Sequence, residues 1–243
     1  MGGWYQRSFE LLPAFLKRRI FPLKYEVERF AFSSAKGRPG TLVLDAGAGE
    51  GLLRDGFKDC RYLALDLGTG DREWDYSGLD VIGNLNTVPV SEAAADIVLN
   101  FQVLEHVPDP AAVIREFFRV LKPGGSLYLT APQGWHEHQQ PHDYFRFTRY
   151  SLSMMLEDAG FEQIEISPMG GYFIFLGMWT SFIPKIVFLP LPRTLRVILF
   201  PLELVSLGIF SFLAPLACFY LDRLDGKKEF TLCYRCKAVK PPA

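Results

Sequence analysis

Leu42-Val43-Leu44-Asp45-Ala46-Gly47-Ala48-Gly49-Glu50-Gly51 is the stretch on which the fold turns. An apolar run that reads as a buried strand ends in an acid and breaks into a glycine turn. Glycines at 47, 49 and 51 let the backbone bend tightly and approach a ligand where a Cβ would collide. A helix is expected next, its free N–H groups directed at that ligand. A nucleotide-cofactor loop therefore fits better than an ordinary strand-to-helix turn. The dinucleotide fingerprint wants its third glycine where Leu52 sits, and needs no acid at the strand end, so the pattern leans away from NAD.

A second mostly apolar strand, Arg61-Tyr62-Leu63-Ala64-Leu65-Asp66, ends in a carboxylate about where a ribose-binding acid falls in a doubly wound sheet. Further on come Ala95-Asp96-Ile97-Val98-Leu99-Asn100-Phe101-Gln102-Val103-Leu104-Glu105-His106-Val107, Asp109-Pro110 and Arg119-Val120-Leu121-Lys122-Pro123-Gly124-Gly125. With these in order at suitable spacing, residues 41 to 167 resemble the class I S-adenosylmethionine-dependent methyltransferases, type 11 subgroup.

That resemblance implies S-adenosyl-L-methionine as cofactor and assigns its contacts. Asp45 would reach the amino end of the methionine moiety, with the backbone of Ala46, Gly47 and Gly49 lying against it. Asp66 and Leu67 would take the ribose side, while Asn84 and Leu85 would hold the adenine. The family usually has Asp where this chain has Asn84, and an amide oxygen can still accept from the adenine amino group. Phe101 and Gln102 would lie under the methionine portion and mark the start of the substrate side.

Proton handling falls to the loop Trp135-His136-Glu137-His138-Gln139-Gln140-Pro141-His142-Asp143-Tyr144-Phe145-Arg146, which an open α/β sheet places at the carboxyl ends of its strands. Three readings stay open. His138 or His142 can act as base, oriented by Asp143 or Glu137; the loop can bind substrate without moving protons; or His136, His138 and His142 can hold a metal. The catalytic candidates are His138, His142 and Asp143, and no metal site is assigned. His106 is expected to line the cleft rather than act as base.

Alternating apolar strands and amphipathic helices over residues 41 to 167 predict a doubly wound, mostly parallel seven-stranded α/β sheet, Rossmann-like in kind. Asp109 reads as an N-cap before Pro110. A last strand over Glu229 to Ala238 would pair antiparallel beside the sixth. The domain reading is residues 1–40 for N-terminal helices, 41–171 for the core, 172–224 for an apolar helical insert between strands six and seven, and 225–243 for the final strand and tail.

With 243 residues, 22% charged and net charge -1, the chain carries no nucleic-acid signature. Its four cysteines form no disulfide framework, as suits a reducing cytoplasm, and Cys233 and Cys236 alternate across a strand instead of gathering on one side.

The insert is the departure from a minimal fold of this kind. Before Asp222 its only charges are Lys185, Arg193, Arg196 and Glu203. It can meet lipid, form a dimer surface or cover a greasy substrate. Strands six and seven must pair in one domain, so it crosses a membrane an even number of times or not at all. The expectation is a shallow helical hairpin at the inner face of the membrane, with Arg193 and Arg196 near headgroups. Trp4 to Leu23 reads as an interfacial helix with a basic flank, or as a cap on the sheet.

Two other functions compete with methyl transfer to a small or lipid-linked acceptor. One is a membrane-attached S-adenosylmethionine-binding protein without turnover, the other an NAD-dependent oxidoreductase or epimerase.

Overall fold

The computed structural model describes residues 12–34, 39–70 and 73–243. The expectation for Trp4 to Leu11 therefore lies outside the described residues. Along the chain run α1 (Ala14–Ile20), α2 (Pro22–Ser34), β1 (Leu42–Ala46), β2 (Arg61–Asp66), β3 (Val81–Ile82), β4 (Ala95–Phe101), α3 (Pro110–Val120), β5 (Leu121–Pro132), α4 (Arg149–Asp158) and β6 (Glu162–Met169). The insert follows with α5 (Tyr172–Thr180), α6 (Ile183–Phe188), α7 (Arg193–Ile198), α8 (Phe200–Ser206) and α9 (Ala214–Leu221), before β7 (Cys233–Val239). These residues divide into two compact units.

The larger unit, Val27–Ser167 with Cys233–Ala243, holds a seven-stranded sheet in the order β3-β2-β1-β4-β5-β7-β6. The pairs β1–β2, β1–β4, β2–β3 and β4–β5 are parallel, while β5–β7 is antiparallel with Leu129 opposite Cys236. The expected seventh strand thus sits between β5 and β6.

Period-two alternation explains how the sheet buries both faces. Leu44 and Ala46 of β1 join Val98, Leu127 and Leu129 under Val113, Phe117 and Leu152 of the helices. Val43 joins Ile97, Leu99, Phe57 and Tyr128 on the other side, where Phe30 packs. Asp109 caps α3 by accepting from the Ala112 amide at 2.9 Å, and Pro110 sits at its first position, as the sequence predicts. Thr148 and Ser151 form a capping box at α4.

One expectation fails in the glycine turn. Instead of an α-helix, a single 3-10 turn, Arg54–Phe57, stands between β1 and β2 among the described residues. Gly47, Gly49 and Gly51 all take positive φ, which keeps the backbone out of the right-handed helical region as far as Gly51.

The smaller unit comprises the described residues up to Glu26 with Pro168–Leu232. Phe200–Leu224 is one continuous helix of 25 residues, with a π-helical stretch at Leu207–Leu213. α5 packs antiparallel to its carboxyl-terminal half, Gly177 lying against Pro215 and Cys218, which a side chain at 177 would block. Glu203 is buried and forms a two-point ion pair with Arg196, Nε–Oε2 3.0 Å and Nη2–Oε1 2.6 Å. That pair neutralises two of the four charges of the apolar segment on each other. It also leaves the Arg196 side chain partly exposed.

Candidate functional site

The β1/β4 boundary is where the strand order reverses, the position at which open α/β sheets bind ligands. Gly47 has φ +91°, and a Cβ there would run into the Val103 methyls. Fully buried Asn100 donates from Nδ2 to the Ala46 carbonyl at 2.6 Å and holds the turn's start, while its Oδ1 has no hydrogen-bond partner.

At the end of β2, Asp66 accepts from the Gly49 amide at 2.9 Å through Oδ2 and from the Gly68 amide at 2.8 Å through Oδ1. Each carboxylate oxygen retains capacity for a further donor such as a ribose hydroxyl. Leu67 beside it is half exposed. Asn84 uses Oδ1 to cap the next turn at Asn86 N, and the Leu85 side chain is part of the core, leaving its backbone for a ligand. Gln102 has φ +57° and donates from Nε2 to Thr130 Oγ1 at 3.1 Å; the Phe101 ring packs toward Phe30.

Asp45 is buried and accepts from the Tyr62 hydroxyl. Burial pushes its carboxyl up to about 7, against the lowering effect of that bond. Nothing in the linear sequence pairs these two residues; parallel register places Tyr62 opposite Val43, two positions from Asp45 on the same face.

All four histidines of the chain lie on two loops, after β4 and after β5. The loops are pinned together: the Tyr144 and Phe145 amides donate to the Glu105 carbonyl at 2.8 and 3.3 Å, and His106 Nδ1 lies 2.7 Å from the His142 carbonyl. His106 Nε2 faces His138 Nε2 at 3.1 Å. His138 Nδ1 lies 3.1 Å from the His136 carbonyl and 3.3 Å from Asp143 Oδ2, which also accepts the His138 amide at 2.9 Å.

Arg146 clasps Asp143 with both Nη atoms, at 2.7 and 2.8 Å, and donates to the carbonyls of Trp135 and His136. That bond holds the Asp143 carboxyl well below the usual carboxylate range. Asp143 therefore stays ionised against His138.

Glu105 lies behind the two rings, fully buried, with neither carboxylate oxygen hydrogen-bonded. Its Oε1 is 3.8 Å from His106 Nε2 and 4.0 Å from His138 Nε2, and burial pushes its carboxyl up to about 8. Burial also pulls His106 below the usual imidazole range.

The structure thus brings His138 and Asp143 together, as the sequence reading proposed, and adds Glu105 and His106. His142 is turned away, its Nδ1 2.9 Å from the Tyr144 hydroxyl, and the His136 ring stacks on Trp135. The set His136, His138, His142 does not converge. The sequence reading had Glu105 and His106 in the motif after β4 and expected His106 to line the cleft, without pairing either with His138.

A methyltransferase domain family model matches residues 44–129. Residues 44–129 are thus similar to the class I methyltransferases of the type 11 subgroup, and the cofactor of that family is S-adenosylmethionine.

Among similar proteins is one from Mycolicibacterium smegmatis described as a probable S-adenosylmethionine-dependent methyltransferase, 36% identical over 135 residues, covering 51% of this chain and 52% of that one. A ubiquinone biosynthesis O-methyltransferase of Psychrobacter arcticus is 32% identical over 160 residues, covering 54% and 62%. The chain therefore spans 52% and 62% of the lengths of these two curated relatives. In fold it is similar to the phosphoethanolamine N-methyltransferase 2 of Haemonchus contortus, solved with phosphomonomethylethanolamine and S-adenosylhomocysteine. There the TM-score is 0.56 at 14% identity, covering 93% of this chain and 56% of that one.

Proposed function

We propose that this protein transfers the methyl group of S-adenosylmethionine to a small or lipid-linked acceptor. The observation that carries the reading is Asp66, whose carboxylate bridges Gly49 and Gly68 at the end of β2, beside the glycine turn. Asp45, Ala46, Gly47 and Gly49 would hold the methionine end, with Phe101 and Gln102 beneath it. Asp66 and Leu67 would hold the ribose, and Asn84 and Leu85 the adenine edge.

The bound cofactor supplies a methyl on a sulfonium, displaced in line by the acceptor. Much of the rate then rests on positioning the acceptor and excluding water. On the acceptor side stands His138, its ring fixed by Asp143 and the His136 carbonyl so that Nε2 presents a lone pair, available to a proton or a cation.

Calorimetry with S-adenosylmethionine against NAD tests the reading directly. Asp66→Ala should weaken S-adenosylmethionine binding at least tenfold, since a charge-assisted bond is worth about 1.5–3 kcal/mol. Unchanged affinity would remove Asp66 from the site, and binding of NAD alone would replace the functional reading. Release of S-adenosylhomocysteine in cell extract separates an enzyme from a binding protein without turnover.

A peripheral membrane contact at the cytoplasmic face is the second part of the proposal. It is favoured by the Phe200–Leu224 helix, whose most apolar window has mean hydropathy 2.1 and is only 17% buried. Ile186, Val197, Ile198, Leu202 and Val205 are all more than half exposed. Recovery of the protein in the high-speed supernatant without detergent, as a defined monomer or dimer, would exclude it.

A further inference from the structure

We propose that Glu105, His106 and His138 form a divalent-metal site, with open coordination positions for an oxygen donor. One potential ligand atom from each lies within 4.8 Å of the others. The argument begins with tautomers. A carbonyl oxygen only accepts, so His106 Nδ1, 2.7 Å from the His142 carbonyl, carries a hydrogen, and its Nε2 is a lone pair. His138 Nδ1 faces the His136 carbonyl and the Asp143 carboxylate, so its Nε2 is a lone pair too.

These two lone pairs point at each other at 3.1 Å, with a buried and unpartnered carboxylate 3.8 and 4.0 Å away. Once Glu105 is ionised, three acceptors converge without a donor. A proton shared between the rings would join them but leave both Glu105 oxygens without a hydrogen bond. A cation answers all three.

The spacing suits one. Zinc bonds of about 2.0–2.1 Å in tetrahedral geometry put neighbouring ligand atoms roughly 3.3–3.4 Å apart, inside the observed range of 3.1 to 4.0 Å. The outer partners are those that metal-bound imidazoles use, a carbonyl or carboxylate on the far ring nitrogen. Asp143, the carboxylate in question, is fixed by Arg146. Two imidazoles and one carboxylate favour zinc, manganese, iron or cobalt over calcium or magnesium. Resting on the methyl-transfer reading, the open positions face an acceptor that binds through oxygen, which narrows the substrate to one with an ionisable hydroxyl.

The test is calorimetric titration of the metal-stripped full-length chain with zinc and manganese chlorides, with thermal melts in parallel. One saturable site per chain and a raised melting temperature are expected. Glu105→Gln and His138→Ala should each weaken binding at least tenfold, as removing even an outer-shell partner costs 10- to 100-fold. His138 lies on a surface loop, so His138→Ala should melt near the parent temperature without metal, which separates lost ligation from lost folding. Absence of saturable binding at millimolar metal, or binding undiminished in both variants, would overturn the site. Metal bound at these residues in a chain that binds no S-adenosylmethionine would uphold the site and defeat only the functional reading.

Discussion

Asp222 caps the amino terminus of α5 from across the insert: both of its carboxylate oxygens lie 3.0 Å from the Gly171 amide, and Oδ1 also accepts from Ile174 at 3.0 Å. Asp225 accepts from the Tyr172 amide at 2.7 Å. Gly171 has no side chain to cap its own helix, so the two aspartates close the base of the apolar hairpin. Asp222→Ala should loosen that base by about 1–3 kcal/mol, because it removes a cap and strands buried amides. Hydrogen exchange at Gly171 and Ile174 should speed accordingly, with β1 and β4 amides unaffected.

Gly47→Ala should damage the cofactor turn twice over, by strain at φ +91° and by collision with Val103. A loss of roughly 1–3 kcal/mol in stability and at least tenfold in S-adenosylmethionine affinity is expected. Adding Val103→Ala should relieve the collision and leave the strain, so partial recovery in melting temperature and calorimetry checks the division.

Asp45 gives a pH dependence with a definite sign. The native carboxyl keeps its proton up to about 7, whereas the ordinary value is 3.8. Between those values the native state binds more protons than the unfolded chain, so this group's contribution to stability is fullest below about pH 4 and falls as pH rises toward 7. Asp45→Asn can still accept from Tyr62 and does not titrate. Relative to the parent it should gain about 1–3 kcal/mol between pH 5 and 8, read from urea midpoints at each pH.

Arg146→Ala should release the loop after β5. It strands the buried Asp143 carboxylate and frees the carbonyls of Trp135 and His136. Since Arg146 is about a quarter exposed, solvent screening limits the loss to about 1–3 kcal/mol. Turnover should fall more than cofactor affinity, a split read by steady-state kinetics beside calorimetry, while Arg146→Lys should restore only part because it cannot clasp Asp143 at two points.

The sequence by itself determined the features that depend on neighbours a few residues apart. Strand periodicity, the Asp109–Pro110 helix start, the glycines of the cofactor turn and the Asp66 strand end follow from steric and capping rules that act locally. Only the tertiary structure decided the rest. It limited the link after Gly51 to a 3-10 turn, set β7 between β5 and β6, and paired Asp45 with Tyr62. It also faced His106 toward His138 over Glu105 and set Asp222 on Gly171. Asp45–Tyr62, His106–His138 and Gly171–Asp222 join groups 17, 32 and 51 residues apart, and the energy of a through-space contact depends on distance and burial, which no local pattern in the chain encodes.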